Sequence, residues 1–194
     1  MFPIILVPAS PVIGRFAGFR LKEEDTSPRQ HHSAPDKLQN RSRKERKMTM
    51  IQPLTKQDTS QAMTLWLEGN LDAHPFLPAA YWHSHVPEVA EQLDQAECYG
   101  WFDGARLLGF VGMQGTYLAG LFVARQARSQ GIGAALLDHI KAIRPTFMLR
   151  VYRDNQRAAA FYRREGLTVT AEGTDPDTGA AELTMTWHPT TQSL

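Results

Sequence analysis

The stretch LFVARQARSQGIGAALL, residues 121–137, runs from an apolar segment through a polar loop into a glycine-bearing helix start. Tyr117–Val123 has strand character, and Leu136, Leu137, Ile140 and Ile143 then recur on one helical face until Pro145 stops the helix. The first turn of a helix leaves its backbone N–H groups unpaired and pointing along the axis. Gly131 and Gly133 remove the side chains that would keep a diphosphate at a distance. Arg128 adds a charged donor at the rim. The same glycine spacing also suits a tight strand-to-helix turn with no ligand. A dinucleotide fold requires Gly-x-Gly-x-x-Gly, but position 136 is Leu; the Gly-Lys-Ser/Thr of a Walker loop is absent.

Outward from this stretch the hydrophobic period alternates between helix and strand. Ile51–Leu54 reads as a first strand, and Asp58 as the cap of a helix through Ala62, Leu65, Trp66 and Gly69 that ends near Asn70. A second helix is expected from Ala79 to Asp94, kinked at Pro87. Cys98–Phe102, Arg106–Gln114 and Tyr117–Val123 form a three-strand meander with Asp103-Gly104 as a hairpin turn. Beyond Pro145 come a strand at Met148–Tyr152, a helix at Gln156–Glu165 closed by Gly166, and strands at Thr168–Glu172 and Glu182–Trp187 around a turn at 175–179. The fold class is α/β (α+β): a mixed, mostly antiparallel sheet with helices.

Composition agrees with a globular domain. The 194 residues are 42% hydrophobic, carry 21 Lys+Arg against 20 Asp+Glu, and contain one cysteine, Cys98. A single cysteine supports neither an intrachain disulfide nor a cysteine zinc site, and no apolar run reaches the roughly 18 to 20 residues of a spanning helix. A cytoplasmic protein without metal and without membrane attachment is expected. Residues 1–48 hold ten basic and five acidic side chains, whereas 49–194 hold eleven and fifteen. Residues 1–47 lack sustained periodicity, so they read as a disordered or spurious N-terminal extension ahead of a domain at 48–190. The basic run 41–47 has no interleaved aromatic residue, and nucleic acid is not an expected partner.

A second stretch, NQRAAAFYRREGL at 155–167, follows about twenty residues after the glycine turn. Together the two stretches resemble the GNAT superfamily of acetyl-CoA-dependent N-acyltransferases. The signature Arg/Gln-x-x-Gly-x-Gly/Ala matches Arg128, Gly131 and Gly133. The signature Asn-x-x-Ala-x-x-Phe-Tyr-x-x-x-Gly-Phe matches Asn155, Ala158, Phe161, Tyr162 and Gly166, with Leu167 in the last aromatic place. The resemblance spans residues 50 to 188. Segments 65–68, 74–76, 81–82, 107–111 and 149–152 are most similar to bacterial YiaC-type peptidyl-lysine N-acetyltransferases.

The resemblance implies a splayed pair of central strands ending at Val123 and Tyr152, with helices on both faces of the sheet. The pantetheine of acetyl-CoA, the acetyl donor, would pair with the Leu121-Phe122-Val123 backbone like an added strand. Its diphosphate would lie on Arg128, Ser129, Gln130, Gly131, Ile132, Gly133 and Ala134. Asn155 would touch the cofactor arm, or serve as the cap of the next helix, or both. The Tyr162 hydroxyl would stand near the thioester sulfur and donate a proton to the departing thiolate, the alternative being a packing tyrosine. Transfer is expected by direct attack in a ternary complex.

The acceptor is a primary amine, with a protein lysine side chain ahead of a small amine such as an amino acid, polyamine or aminoglycoside. A non-catalytic acyl-CoA-binding module is the rival from another class. A lysine amine of pKa ~10.4 costs roughly 4.6 kcal/mol to deprotonate at neutral pH, against about 1 kcal/mol for an α-amine. Many relatives carry Glu on the strand before Asn155, where this chain has Arg150, and Tyr117–Val123 has no acid. His74, in the loop after the first helix, or a chain of water molecules is left as proton acceptor. Tyr117, Phe76 and His74 are the expected walls for the amine. A monomer and a homodimer are equally compatible with the sequence.

Overall fold

The computed structural model describes residues 50–189, so the expectation for residues 1–47 lies outside the described part. In chain order the elements are β1 (Met50–Pro53), α1 (Thr59–Ala73), α2 (Ala79–Ser84), α3 (Val86–Gln95), β2 (Glu97–Asp103), β3 (Arg106–Gln114), β4 (Tyr117–Val123), a 3-10 turn (Arg125–Ala127), α4 (Ile132–Ile143), β5 (Phe147–Tyr152), α5 (Gln156–Arg164), β6 (Thr168–Thr174) and β7 (Ala181–Trp187). The seven strands form one sheet in the order β1-β2-β3-β4-β5-β7-β6. Every neighbouring pair is antiparallel except β4 and β5.

Two crossovers, β4-α4-β5 and β5-α5-β6, run the same way across the sheet, and their right-handedness puts α4 and α5 on one face. Both α1 and α4 pack on β3 and β4, so α1 takes the other face. Helices therefore cover both sides, as expected. The sheet core is filled by alternating apolar residues such as Phe110 and Phe122, whose rings stack at 5.0 Å, and by Leu118, Leu121, Leu136 and Leu149, all fully buried. Among the described residues no helix is long and apolar enough to cross a membrane.

Three local expectations are corrected, and one short element is added. The second helix is two: a proline lacks the N–H and crowds the carbonyl four residues back, so α2 ends at Ser84 and α3 restarts with Pro87 in its first turn, where no N–H is needed. Helix α1 runs one turn further than Asn70, to Ala73, and thereby carries Asp72 toward the loop after β4. Asp58 is no side-chain cap; its carboxylate accepts from the Thr55 amide at 2.8 Å and the Thr55 hydroxyl at 2.7 Å. The 3-10 turn at 125–127 was not foreseen, because three residues are too few to display a period.

Candidate active site

A wedge opens in the middle of the sheet. The parallel strands β4 and β5 pair only at Tyr117 opposite Met148, with the Met148 amide donating to the Thr116 carbonyl at 2.9 Å. The cause lies in the register of β4 against β3: Gly120 faces Gly112 and Leu118 faces Met113, which leaves Ala119 as an extra residue. Such a bulge bends its strand and increases the twist. Beyond it, the edge of β4 at Leu121, Phe122 and Val123 diverges from β5.

The loop after β4 forms a turn of exposed backbone. Ser129 and Gly131 both have positive φ, 61° and 83°, and α4 begins at Ile132. Open space surrounds the place where a Cβ of Gly131 would stand. A Cβ at Gly133 would stand 3.5 Å from Phe161 and 3.6 Å from Leu121, ordinary contact distances, so α4 lies here beside both α5 and β4. The two sequence signatures thus meet physically. Ser129, Gln130 and Gly131 are exposed, Ala134 is half-buried, and Ile132 and Gly133 are buried beneath the turn.

Arg128 departs from its expected place at the rim. Its guanidinium binds the Asp72 carboxylate, and its Nε donates to the Val123 carbonyl at 3.3 Å. Asp72 sits in the last turn of α1, where the helix dipole disfavours a negative charge, and the guanidinium offsets that cost. Arg128's hydrogen bond, opposed by burial and reinforced by the charges of Arg128 and Arg125, holds the Asp72 carboxyl below its usual range. The exposed cation near the turn is Arg125, 4.0 Å from the same carboxylate.

On the far side of the wedge, Asn155 caps α5: its Oδ1 accepts from the Ala158 amide at 3.1 Å, and its Nδ2 lies 3.4 Å from Nε2 of His74. Tyr162 has no exposed surface, and burial, with Tyr117 as a second cause, lifts its phenol well above the ordinary value. The phenol therefore stays protonated at neutral pH. Of the expected site residues, Tyr117 lies close enough to Tyr162 to influence its phenol, and Asn155 touches His74.

His74 does not have the setting of a base. It is 1% exposed, stacked on Trp82 at 5.1 Å, with Phe76 and Tyr152 edge-on at 5.6 and 5.2 Å. Burial pushes its pKa down to about 3, so at neutral pH the imidazole is neutral, with one ring N–H, and takes up a second proton poorly. Phe76 is 38% exposed.

Several groups near the wedge were not singled out from sequence. Glu182, opposite Tyr152 in the β5–β7 pair, lies diagonally 3.3 Å from Arg150, and its carboxyl is raised by burial against the opposing pull of Arg150. Tyr117 feels both groups, though burial is the main cause that pushes its phenol up to about 12. Tyr152 donates to Asp175 at 2.9 Å, and Asp175 also accepts from the amides of Asp177 and Thr178, fixing the β6–β7 turn over β5. Only the pairing of β7 beside β5 could have revealed Glu182, since 32 positions separate it from Arg150 in sequence.

A splayed parallel pair, an open amide turn at a helix start, and a capped helix carrying a buried tyrosine define an acyl-CoA-dependent transferase scaffold. The sequence model of the Acetyltransferase (GNAT) family matches residues 60–167, and the chain belongs to that family. It is an enzyme, an acetyltransferase of the GNAT type. The chain is 35% identical over 147 residues to the peptidyl-lysine N-acetyltransferase YiaC of Escherichia coli, covering 75% of this chain and 100% of that protein. Among solved structures, apo YjaB from Escherichia coli shares the fold with a TM-score of 0.66 at 22% identity, over 72% of this chain and 97% of that one. The PaiA N-acetyltransferase of Thermoplasma acidophilum in complex with coenzyme A does so with 0.60 at 20% identity, over 72% and 98%.

The tie between Asp72 and Arg128 yields a pH test. A carboxyl whose pKa is lowered on folding contributes stability that is complete above its unfolded value of about 3.9 and is lost as pH falls through the folded value. Wild type should therefore exceed Asp72→Asn in urea midpoint near pH 7, and the two should converge toward about pH 2. A gap unchanged over that range contradicts the ion pair.

Proposed function

We propose that the chain transfers acetyl from acetyl-CoA to a lysine side chain of a protein by direct attack within a ternary complex. The observation that carries this reading is the failure of β4 and β5 to pair beyond Tyr117 and Met148, because it leaves a main-chain edge at Leu121–Val123 for the pantetheine. The amides of Gln130 to Ala134 would receive the diphosphate, with Arg125 adding charge and Arg128 holding the loop in place. The acceptor's identity rests on the chain's likeness to YiaC, a peptidyl-lysine N-acetyltransferase.

In this reading both substrates are held together, so the amine attacks the thioester carbon without an acyl-enzyme. Proximity supplies much of the acceleration, and amides of the β4 edge polarise the carbonyl oxygen. Cys98 agrees with direct transfer: it is buried in β2, and burial pushes its thiol up to about 12, far from a nucleophilic thiolate. Tyr162, kept protonated by burial, offers its hydrogen to the departing sulfur. Tyr117 and Phe76 flank the amine arm. A protonated lysine must lose its proton before attack, and with His74 unable to hold it, water leading toward Glu182 is the remaining acceptor.

Incubation with acetyl-CoA and a mixed pool of lysine peptides, free amino acids and polyamines, followed by mass spectrometry, should find the acetyl group on Nζ of peptide lysines. Acetylation confined to the small amines would replace the protein acceptor with a metabolite. Tyr162→Phe should lower kcat by about 100-fold with little change in the KM for acetyl-CoA. A kcat within twofold of wild type removes Tyr162 from the chemistry.

We further propose that residues 48–190 carry the whole activity. A chain starting at Met48 should keep both its melting temperature and its kcat/KM. Loss of either would assign residues 1–47 to the fold.

A further inference from the structure

We propose that His74 is a positioning residue for α5: as a neutral imidazole protonated at Nδ1, it accepts from the Asn155 amide and so fixes the cap of the helix that carries Tyr162. The inference rests on the reading of Tyr162 given above, and it assigns His74 a task other than proton transfer.

The tautomer follows from donor and acceptor logic. The Ala158 amide can only donate, so the end of the Asn155 side chain at 3.1 Å from it must be the oxygen. The Asn155 NH2 then faces Nε2 of His74 at 3.4 Å. An amide NH2 can only donate, so the contact is a hydrogen bond when Nε2 carries the lone pair; the hydrogen then sits on Nδ1, a buried atom with no hydrogen-bond partner among the described residues. The nitrogen a base would use is thus already engaged with Asn155.

The imidazole is held firmly enough to transmit position. His74 closes α1, with its amide donating to the Asn70 carbonyl at 3.0 Å and its carbonyl accepting from the Leu77 amide at 3.0 Å. Trp82 of α2 stacks on the ring, and Phe76 and Tyr152 of β5 close its edges. None of these carries a charge; the phenol of Tyr152 is committed to Asp175. The Asn155 backbone is anchored separately, its amide donating to the Tyr152 carbonyl at 3.0 Å. The end of α1 and the start of α5, 81 positions apart, are therefore joined by a side-chain contact through Asn155. Tyr162 lies seven positions after the cap, two turns along the helix.

Kinetics of two variants test the role. His74→Leu removes the acceptor for the Asn155 amide and should lower kcat/KM by roughly 10- to 100-fold through misplacement of Tyr162. His74→Gln, whose Oε1 can replace Nε2 as acceptor but cannot serve as a base, should recover activity to within about fivefold of wild type with an unchanged pH profile. If His74→Gln is as impaired as His74→Leu while melting like wild type, or if it abolishes the acidic limb of the kcat/KM profile, the proposal fails.

Long-range proton–nitrogen NMR of the wild-type chain decides the matter without any substitution. Nε2 should resonate as an unprotonated nitrogen from roughly pH 5 to 8. A protonated Nε2, or a midpoint near neutrality, overturns the assignment. Because that readout needs no turnover, failure of the acetyltransfer reading would be seen separately, in an absence of acetylated product.

Discussion

A single unpaired residue in the middle of a strand determines how this protein is organised. Ala119 interrupts the register between β3 and β4, and the bend it introduces carries β4 away from β5 after one paired position. Parallel neighbours otherwise pair along their length, and unpaired main-chain groups in a sheet interior are costly. A sheet that leaves such an edge in its centre has somewhere for an extended ligand to lie.

The remaining features collect around that edge. The helix start after β4 leaves Gly131 exposed, and Phe161 of α5 packs beside Gly133, so the turn and the helix bearing Tyr162 are in contact. Asp72 and Arg128 fasten the loop to α1, while Asn155 and His74 fasten the start of α5 to the end of the same helix. Helix α1 is thus tied to both sides of the wedge. Charge is concentrated in a few paired groups here, and burial keeps Tyr162, its neighbour Tyr117 and His74 neutral.

Much of this was legible in sequence, because strands and helices with strong periods declare themselves. Arg106–Gln114 and Tyr117–Val123 were placed to the residue, and α4 and α5 nearly so. The glycine turn and the Asn155 stretch were legible as chemistry because their residue types are demanded by backbone geometry. Contacts that depend on tertiary pairing were not. Asp72 on Arg128, Glu182 beside Arg150 and the ring cluster around His74 each join elements far apart in sequence, and no local pattern marks them. His74 illustrates the difference: its residue type suggests a base, whereas only the fold shows that it is buried and in contact with Asn155.

The central claim is that the amides at the start of α4 and the diverging edge of β4 form one continuous binding surface for coenzyme A. Hydrogen exchange resolved to single amides, with and without saturating coenzyme A, addresses it most directly. The account predicts slowed exchange at Gln130 to Ala134 together with Leu121 to Val123, and no change in β6. Slowing confined to other elements, or none at all in the presence of ligand, would contradict it.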